Sequence, residues 1–194
     1  MTALTRSLFA LAALVVFAQP ALAGPPLICH PFETEGGRQL AWGRATHPNN
    51  WNNPDRGYDI ANLVADTTSV LTADAPILTR MENMRRATIY AMQDPVIAQA
   101  LLKAVMGRAL ATTSDSRAWF DAGYLIESYK QAVHLRKDAR PELRAWQAVD
   151  ETIKVDGYNW VKKAMSIAGA PSAEMEFAAS LMTQGTTEIG RAHV

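Results

Sequence analysis

The sequence predicts an all-α protein, with antiparallel helical hairpins, stacked or gathered in a compact bundle, behind an extended strap rich in Pro, Gly and Asn. Three observations predict it. From Tyr58 onward apolar residues recur at three- and four-residue steps. Helix-start signals such as Asp94-Pro95, Pro141 and Pro171-Ser172 cut that periodicity into separate rods with short links, which makes neighbouring rods antiparallel. No segment sustains the apolar–polar alternation of a half-buried strand.

The chain opens with MTALTRSLFALAALVVFAQPALA, residues 1–23. Arg6 precedes an apolar run from Leu8 to Ala18, Pro20 breaks it, and Ala21-Leu22-Ala23 is a small-x-small cleavage pattern. This is the signature of a secretory leader. The apolar run is shorter than the roughly 20 residues of a spanning helix, so the mature chain is expected to be periplasmic or secreted, with no stable membrane insertion.

Residues 24–57 form the strap. Pro25, Pro26, Pro31, Pro48 and Pro54, five glycines and the asparagines around Trp51 exclude a helix. Leu27, Ile28, Phe32, Leu40, Trp42 and Trp51 are too apolar for a solvated linker, so the strap is expected to dock on the helical body.

The helical body spans 58–187. Its first helix is expected over 58–71, on Ile60, Leu63, Val64, Thr67, Val70 and Leu71. Asp74 and Pro76 open the second, with Ile77, Met81, Met84, Thr88 and Ala91 inward and Arg80, Glu82, Arg85 and Arg86 mostly off that face. The third starts at Asp94-Pro95 and is apolar nearly all round, through Leu101, Leu102, Val105 and Leu110, so it is expected to be the most buried. Ser114 or Asp115 caps the fourth, which carries Trp119, Ala122, Ile126, Tyr129 and Val133 on one side. Pro141 starts a fifth, with Leu143, Trp146, Val149 and Ile153, which Asp156-Gly157 breaks or kinks before it continues to a cap at Gly169. Pro171-Ser172 starts the last, with Met175, Phe177, Ala178 and Leu181.

Within AWFDAGYLIESY, the spacing Trp119-x3-Gly123 resembles the first helix of a tetratricopeptide unit, where a small residue admits the paired helix. The helix starts do not keep that family's 34-residue period, so a tetratricopeptide-like stack and a compact bundle both stay open. The stretches PPLICHPF, LTADAPILTRMENMRRATIYA, WFDAGYLIESYKQA and DGYNWVKKA together resemble an uncharacterised family of exported bacterial proteins. That resemblance spans nearly the whole mature chain and implies no catalytic residues.

The final Ile189-Gly190-Arg191-Ala192-His193-Val194 reads like a translated sequencing adaptor, with Glu188 at the junction. Residues 188–194 are therefore set aside, and the natural chain is expected to continue past Thr187. Without Arg6 and Arg191, and with Glu188 kept in the count, the 19 basic residues become 17 against 19 acidic, a net charge near −2. That is no footprint for nucleic acid. Arg85-Arg86 and Lys162-Lys163 are isolated pairs, expected on solvated faces.

Chemistry could centre on Cys29, the only cysteine, beside His30. Cys-His is the end of a c-type haem attachment motif, but Pro26 stands where the first cysteine belongs. Cys29, His30 and His47 offer three metal ligands, one short of a structural zinc site. A Cys–His nucleophile is seldom built from sequence neighbours. A packed thiol, or one awaiting a disulfide partner in a missing C-terminal part, outweighs all three. Glu127, Lys130, His134 and Asp138 form a polar row, read as a solvated face before a general base with its orienting carboxylate. Met81, Met84, Met92 and Met106 are read as core fill, and Asp55, Asp59 and Asp66 as caps and surface charges.

No motif for phosphate, calcium or hydrolytic chemistry is present. The expectation is an exported, non-enzymatic module for a protein or peptide partner, with Tyr124, Tyr129, Tyr158 and Trp160 as candidate contact aromatics and no cofactor. The alternative is a zinc- or haem-handling protein using Cys29 and His30.

Overall fold

The computed structural model describes residues 27–34, 36–44, 52–134 and 154–184. The leader, His47, Trp51, the Pro141 segment, Asp138 and the tail lie outside them. Among the described residues six helices follow a 3₁₀ turn at Ile60–Asn62: α1 Leu63–Val70, α2 Ile77–Ala91, α3 Pro95–Ala111, α4 Ser116–His134, α5 Gly157–Ala168 and α6 Ala173–Gln184. There is no strand among the described residues.

The starts are set by short side chains that cap free backbone amides. Asp59 accepts from the Ala61 amide at 3.0 Å, and Asp94 from Val96 at 2.7 Å. Asp115, rather than Ser114, caps α4 through the Arg117 and Ala118 amides at 3.0 and 3.2 Å. Asp156 caps α5 through Asn159 at 3.2 Å, so Asp156-Gly157 is a true helix start and not a kink. Gly169 closes α5 with φ +71°, a left-handed turn that glycine enters without a Cβ penalty. The first helix is shorter than 58–71, because its opening turn is wound as 3₁₀.

At the centre lies α4, packed against α2, α3, α5 and α6. Its Ala118, Trp119, Phe120, Ala122, Tyr124, Leu125, Ile126 and Tyr129 are all buried. With α5 it forms an antiparallel pair at very short range. A Cβ on Gly123 would stand 2.5 Å from the Gly157 carbonyl oxygen and 2.9 Å from Val161, and one on Gly157 would stand 2.5 Å from the Gly123 oxygen. Two glycines face to face let the backbones touch, as the Trp119-x3-Gly123 spacing anticipated for Gly123.

The most buried helix is α2, not α3. Arg80, Glu82, Asn83 and Arg85 are inside, each at most 1 % exposed, and Arg86 is half-buried. The expectation that these charges lie off the core, and that Arg85-Arg86 faces solvent, is therefore overturned. The reason is the strap. Its Leu27, Ile28 and Leu40 are buried, with Phe32 and Trp42 packed on the same core. A docked strand-less chain must still satisfy its N–H and C=O groups, and α2 does this with side chains. Phe32 N–H donates to Glu82 Oε2 at 3.0 Å, and Leu40 N–H to Asn83 Oδ1 at 2.9 Å. In the other direction Asn83 donates to the Arg38 carbonyl at 3.0 Å, Thr79 to Gly36 at 2.9 Å, Arg86 to Leu40 at 2.7 Å and Tyr90 to Ala41 at 2.8 Å. Gln131 of α4 accepts from Leu27 at 2.9 Å.

Glu82 joins these contacts together. Arg85 grips its carboxylate with two bonds of 2.8 Å, and Arg86 adds one of 2.7 Å. Burial alone would raise the Glu82 carboxyl. The bonds and charge of Arg85, the Phe32 amide and Arg86 outweigh it and hold the group below its usual range. Both guanidinium groups also lie against the Trp42 ring, at 5.0 and 5.6 Å from its centre.

A second buried pair ties α2 to α4: Arg80 Nη1 donates to Asp121 Oδ2 at 2.6 Å, each residue 1 % exposed. Arg80 also donates to the Ala75 carbonyl at 3.1 Å and to that of Thr72. Burial pushes the Asp121 carboxyl up to about 6, although Arg80 and Arg108 pull it down, and Asp115 adds to the rise.

The outer helix is α3. Ala98, Leu101, Leu102, Val105 and Ala109 are buried, but Val96 is 73 % and Leu110 58 % exposed. An all-round apolar helix therefore keeps one apolar side uncovered, and the expected burial of Leu110 is not found. Phe177 on α6 is also 45 % exposed, resting edge-on against Phe32 at 6.3 Å.

Three outcomes test this packing. Gly123→Ala should destabilise by about 2–3 kcal/mol in urea unfolding, because the new Cβ meets backbone rather than a movable side chain. Glu82→Ala should cost about 3–5 kcal/mol, because it removes the buried carboxylate that Arg85, Arg86 and the Phe32 amide all bond, and should speed hydrogen exchange at that amide. Asp121 has a folded-state pKa above its ordinary value, so its contribution favours folding at low pH and fades as pH rises through about 6. The urea midpoint of the native protein should therefore rise on going from about pH 7 to about pH 5, and Asp121→Asn should flatten that rise.

Candidate binding surface

Cys29 is half-buried and its neighbour His30 is exposed, with Ile28 fully buried on the other side. Burial pushes the Cys29 thiol up, against a smaller downward pull from Arg85. It therefore lacks the depressed pKa of a nucleophilic cysteine. Among the described residues no three His, Cys, Asp or Glu side chains gather as a metal site, and His47 lies outside them. The Cys29 segment is held by main-chain bonds, with Arg85 Nη1 donating to the Ile28 carbonyl at 3.3 Å.

In the polar row of α4, Lys130 pairs with Glu127 at 2.7 Å. The same Glu127 oxygen accepts from the Gly157 amide at 2.8 Å, so it fastens the start of α5 to α4. Asp138 and the side chain of His134 lie outside the described residues. Asp59 and Asp66 take local roles, as a cap and as acceptor for Tyr58 Oη at 2.8 Å.

Of the four candidate aromatics, Tyr124 and Tyr129 are fully buried, which removes them as contact residues. Tyr129 Oη donates to the Ala98 carbonyl of α3 at 3.1 Å. Tyr158 and Trp160 are half-buried. Trp160 packs on Trp119 at 4.6 Å, Lys163 Nζ sits 3.4 Å from the Trp119 ring centre, and Lys162 lies 5.7 Å from that of Tyr158. The Lys162-Lys163 pair is exposed as expected, and its stems cover these rings.

Two cavities among the described residues bear on binding. One, of about 410 Å³, lies between the 52–58 turn and the end of α2, where Asn52, Asp55, Arg56, Tyr58, Met92 and Gln93 line it. Tyr90 Oη anchors the turn by accepting from the Asp55 amide at 3.0 Å. An acid and a base side by side in an exposed turn select no one ligand charge.

The other is a groove of about 460 Å³ along the outer side of α3, lined by Gln99, Leu102, Lys103, Met106, Gly107 and Leu110. It includes the exposed Leu110. A Cβ on Gly107 would meet nothing within 4 Å. Met106, read from sequence as core fill, contributes to both the core margin and this groove. Sequence reasoning passed over the groove because a helix apolar all round gives no sign of which side lacks a neighbour.

No family model matches the chain, and neither a curated protein nor a solved structure shows a significant match to it.

Proposed function

We propose that this chain is an exported, non-enzymatic interaction module whose binding face is the outer side of α3. The observation that carries this is the exposed apolar strip on a helix whose other side is in the core. Leu110, with Leu102 and Met106, lines a groove of about 460 Å³ there. Scattered exposed apolar residues need no explanation, but an apolar concavity at the surface is a usual mark of a protein–protein site. Stacked helices commonly offer such a surface.

The chemistry of the rest of the molecule supports a binding role. The buried charges of α2 are spent on the strap's own backbone, and burial pushes the Cys29 thiol up rather than down. The half-buried Tyr158 and Trp160 are engaged with Lys162 and Trp119, so they are poorer candidates for a first contact than the α3 strip.

The test is a photoreactive phenylalanine analogue placed at Leu110 in the full chain, with the same analogue at Glu176 as control. A discrete protein trapped at Leu110 and not at Glu176, then reconstituted from purified components, is the expected result. Leu110→Asp should weaken that complex by at least about tenfold. Because Leu110 is exposed, the same change should leave the unfolding midpoint within about 0.5 kcal/mol of the parent. Stoichiometric zinc or a haem Soret band in the purified protein would instead favour the Cys29–His30 reading.

A further inference from the structure

We propose that the groove holding the strap also accepts the strap of a second copy of this chain. The contact between Gly43 and Asn53 then decides whether a chain keeps its own strap or exchanges it. This does not depend on the α3 face.

The groove shows its ligand class by what fills it. An extended chain lies there, and side chains of α2 hold its backbone. The Phe32 and Leu40 amides and the Ile28, Leu40 and Ala41 carbonyls are all bonded from α2. These bonds join residues 43 to 57 positions apart in sequence. No helix or turn geometry ties them to one chain, so a second copy's strap satisfies them equally. Specificity comes from the apolar anchors. Leu27, Ile28 and Leu40 are at most 3 % exposed. A foreign peptide needs all three at this spacing, and a second copy has them. Exchange also keeps the buried charges of α2 in bonds. An empty groove would leave Glu82 without its amide and Arg86 without its carbonyl.

The ends of the strap show what holds it to its own body. Tyr90 Oη donates to the Ala41 carbonyl at 2.8 Å and accepts from the Asp55 amide at 3.0 Å. One hydroxyl therefore marks both the exit of the chain from the groove and its return. Just beyond Ala41, Gly43 N–H donates to the Asn53 carbonyl at 3.1 Å, and Asn53 Nδ2 donates to the Arg44 carbonyl. A Cβ on Gly43 would stand 2.7 Å from the Asn53 carbonyl oxygen. The obstacle is backbone, which cannot turn aside as a side chain can, so this approach requires glycine. In an exchanged pair Tyr90 keeps both bonds, one to each chain, and the Gly43–Asn53 contact is broken.

Two copies that trade straps thus differ from two monomers by this clasp and by the cost of association. A tethered strap competes as though present at about millimolar concentration. Weakening the clasp lowers the chain concentration at which a second copy wins.

Phe32 provides the reporter, since its ring meets Phe177 of α6 edge-on at 6.3 Å. A photoreactive phenylalanine analogue replaces Phe32 in the full exported chain. Equal amounts of heavy-nitrogen and ordinary chains are unfolded in urea, refolded together, irradiated and digested. A cross-link from residue 32 to α6 within one isotope reports a strap on its own body, and a mixed-isotope cross-link reports an exchanged one. At about 0.01 mM the parent should give single-isotope cross-links, with mixed ones appearing toward about 1 mM. Gly43→Ala should move that onset at least about tenfold lower, with a dimer in sedimentation. Leu110→Asp added to Gly43→Ala should leave the dimer intact, which separates exchange from pairing through α3.

Single-isotope cross-links alone, in the parent at about 1 mM, overturn the proposal. So does a folded Gly43→Ala chain that stays monomeric at that concentration, or one that dimerises without mixed cross-links. The parent arm needs no substitution in the clasp, so it decides the matter if Gly43→Ala fails to fold.

Discussion

The carboxylate of Glu82 is the point on which the architecture turns. Two guanidinium groups and one strap amide converge on it, and it is 1 % exposed. A buried charge is tolerated only when partners replace its water, and here the partners come from its own helix and from the strap. The same Arg86 then bonds the Leu40 carbonyl, and the same Arg85 that of Ile28. Local ion pairs on α2 thereby become the means of holding a segment some 50 residues away in sequence.

That arrangement inverts the usual distribution of helix types. The polar α2 lies inside, since the strap covers the face that would otherwise meet water. The apolar α3 lies outside, since among the described residues α4, α1 and α2 cover only part of its circumference. The two facts are linked by geometry. A helix that carries a strap on one side and α4 on the other has little circumference left for solvent, and the exposed surface passes to its neighbours. Apolar surface so displaced to the exterior is costly in water, which is the physical ground for reading α3 as a contact face.

The glycines make the same point at a finer scale. Gly123 and Gly157 are explained by the contact between α4 and α5, where any side chain would collide with a carbonyl. Among the described residues nothing stands within 4 Å of where a Cβ on Gly107 would be, on the helix that carries the exposed Val96 and Leu110. A residue with an internal reason and a residue without one look identical in sequence. They differ only in what stands over the Cα.

Much of this was determined by local chemistry and could be read directly. The all-α class follows from periodicity, the start of α3 from Asp94 with Pro95, and the end of α5 from Gly169, whereas the choice of Asp115 over Ser114, and of a helix start over a kink at Asp156, came from the structure. The docking of Leu27, Ile28 and Leu40 follows from their apolarity among prolines. What only the tertiary structure decided was which side of each helix has a neighbour. Arg80, Glu82 and Arg85 looked solvated because charge is normally expensive to bury, and the strap's unpaired backbone, a signal present in its Pro/Gly composition, was the demand that drew them inward. Tyr124 and Tyr129 as contact aromatics, and Leu110 as a core residue, are overturned for a related reason, although the apolar side of α4 that holds Tyr129 is buried as its spacing predicts: periodicity tells which residues share a face, but burial depends on what distant segments bring to that face, and no local interaction encodes it.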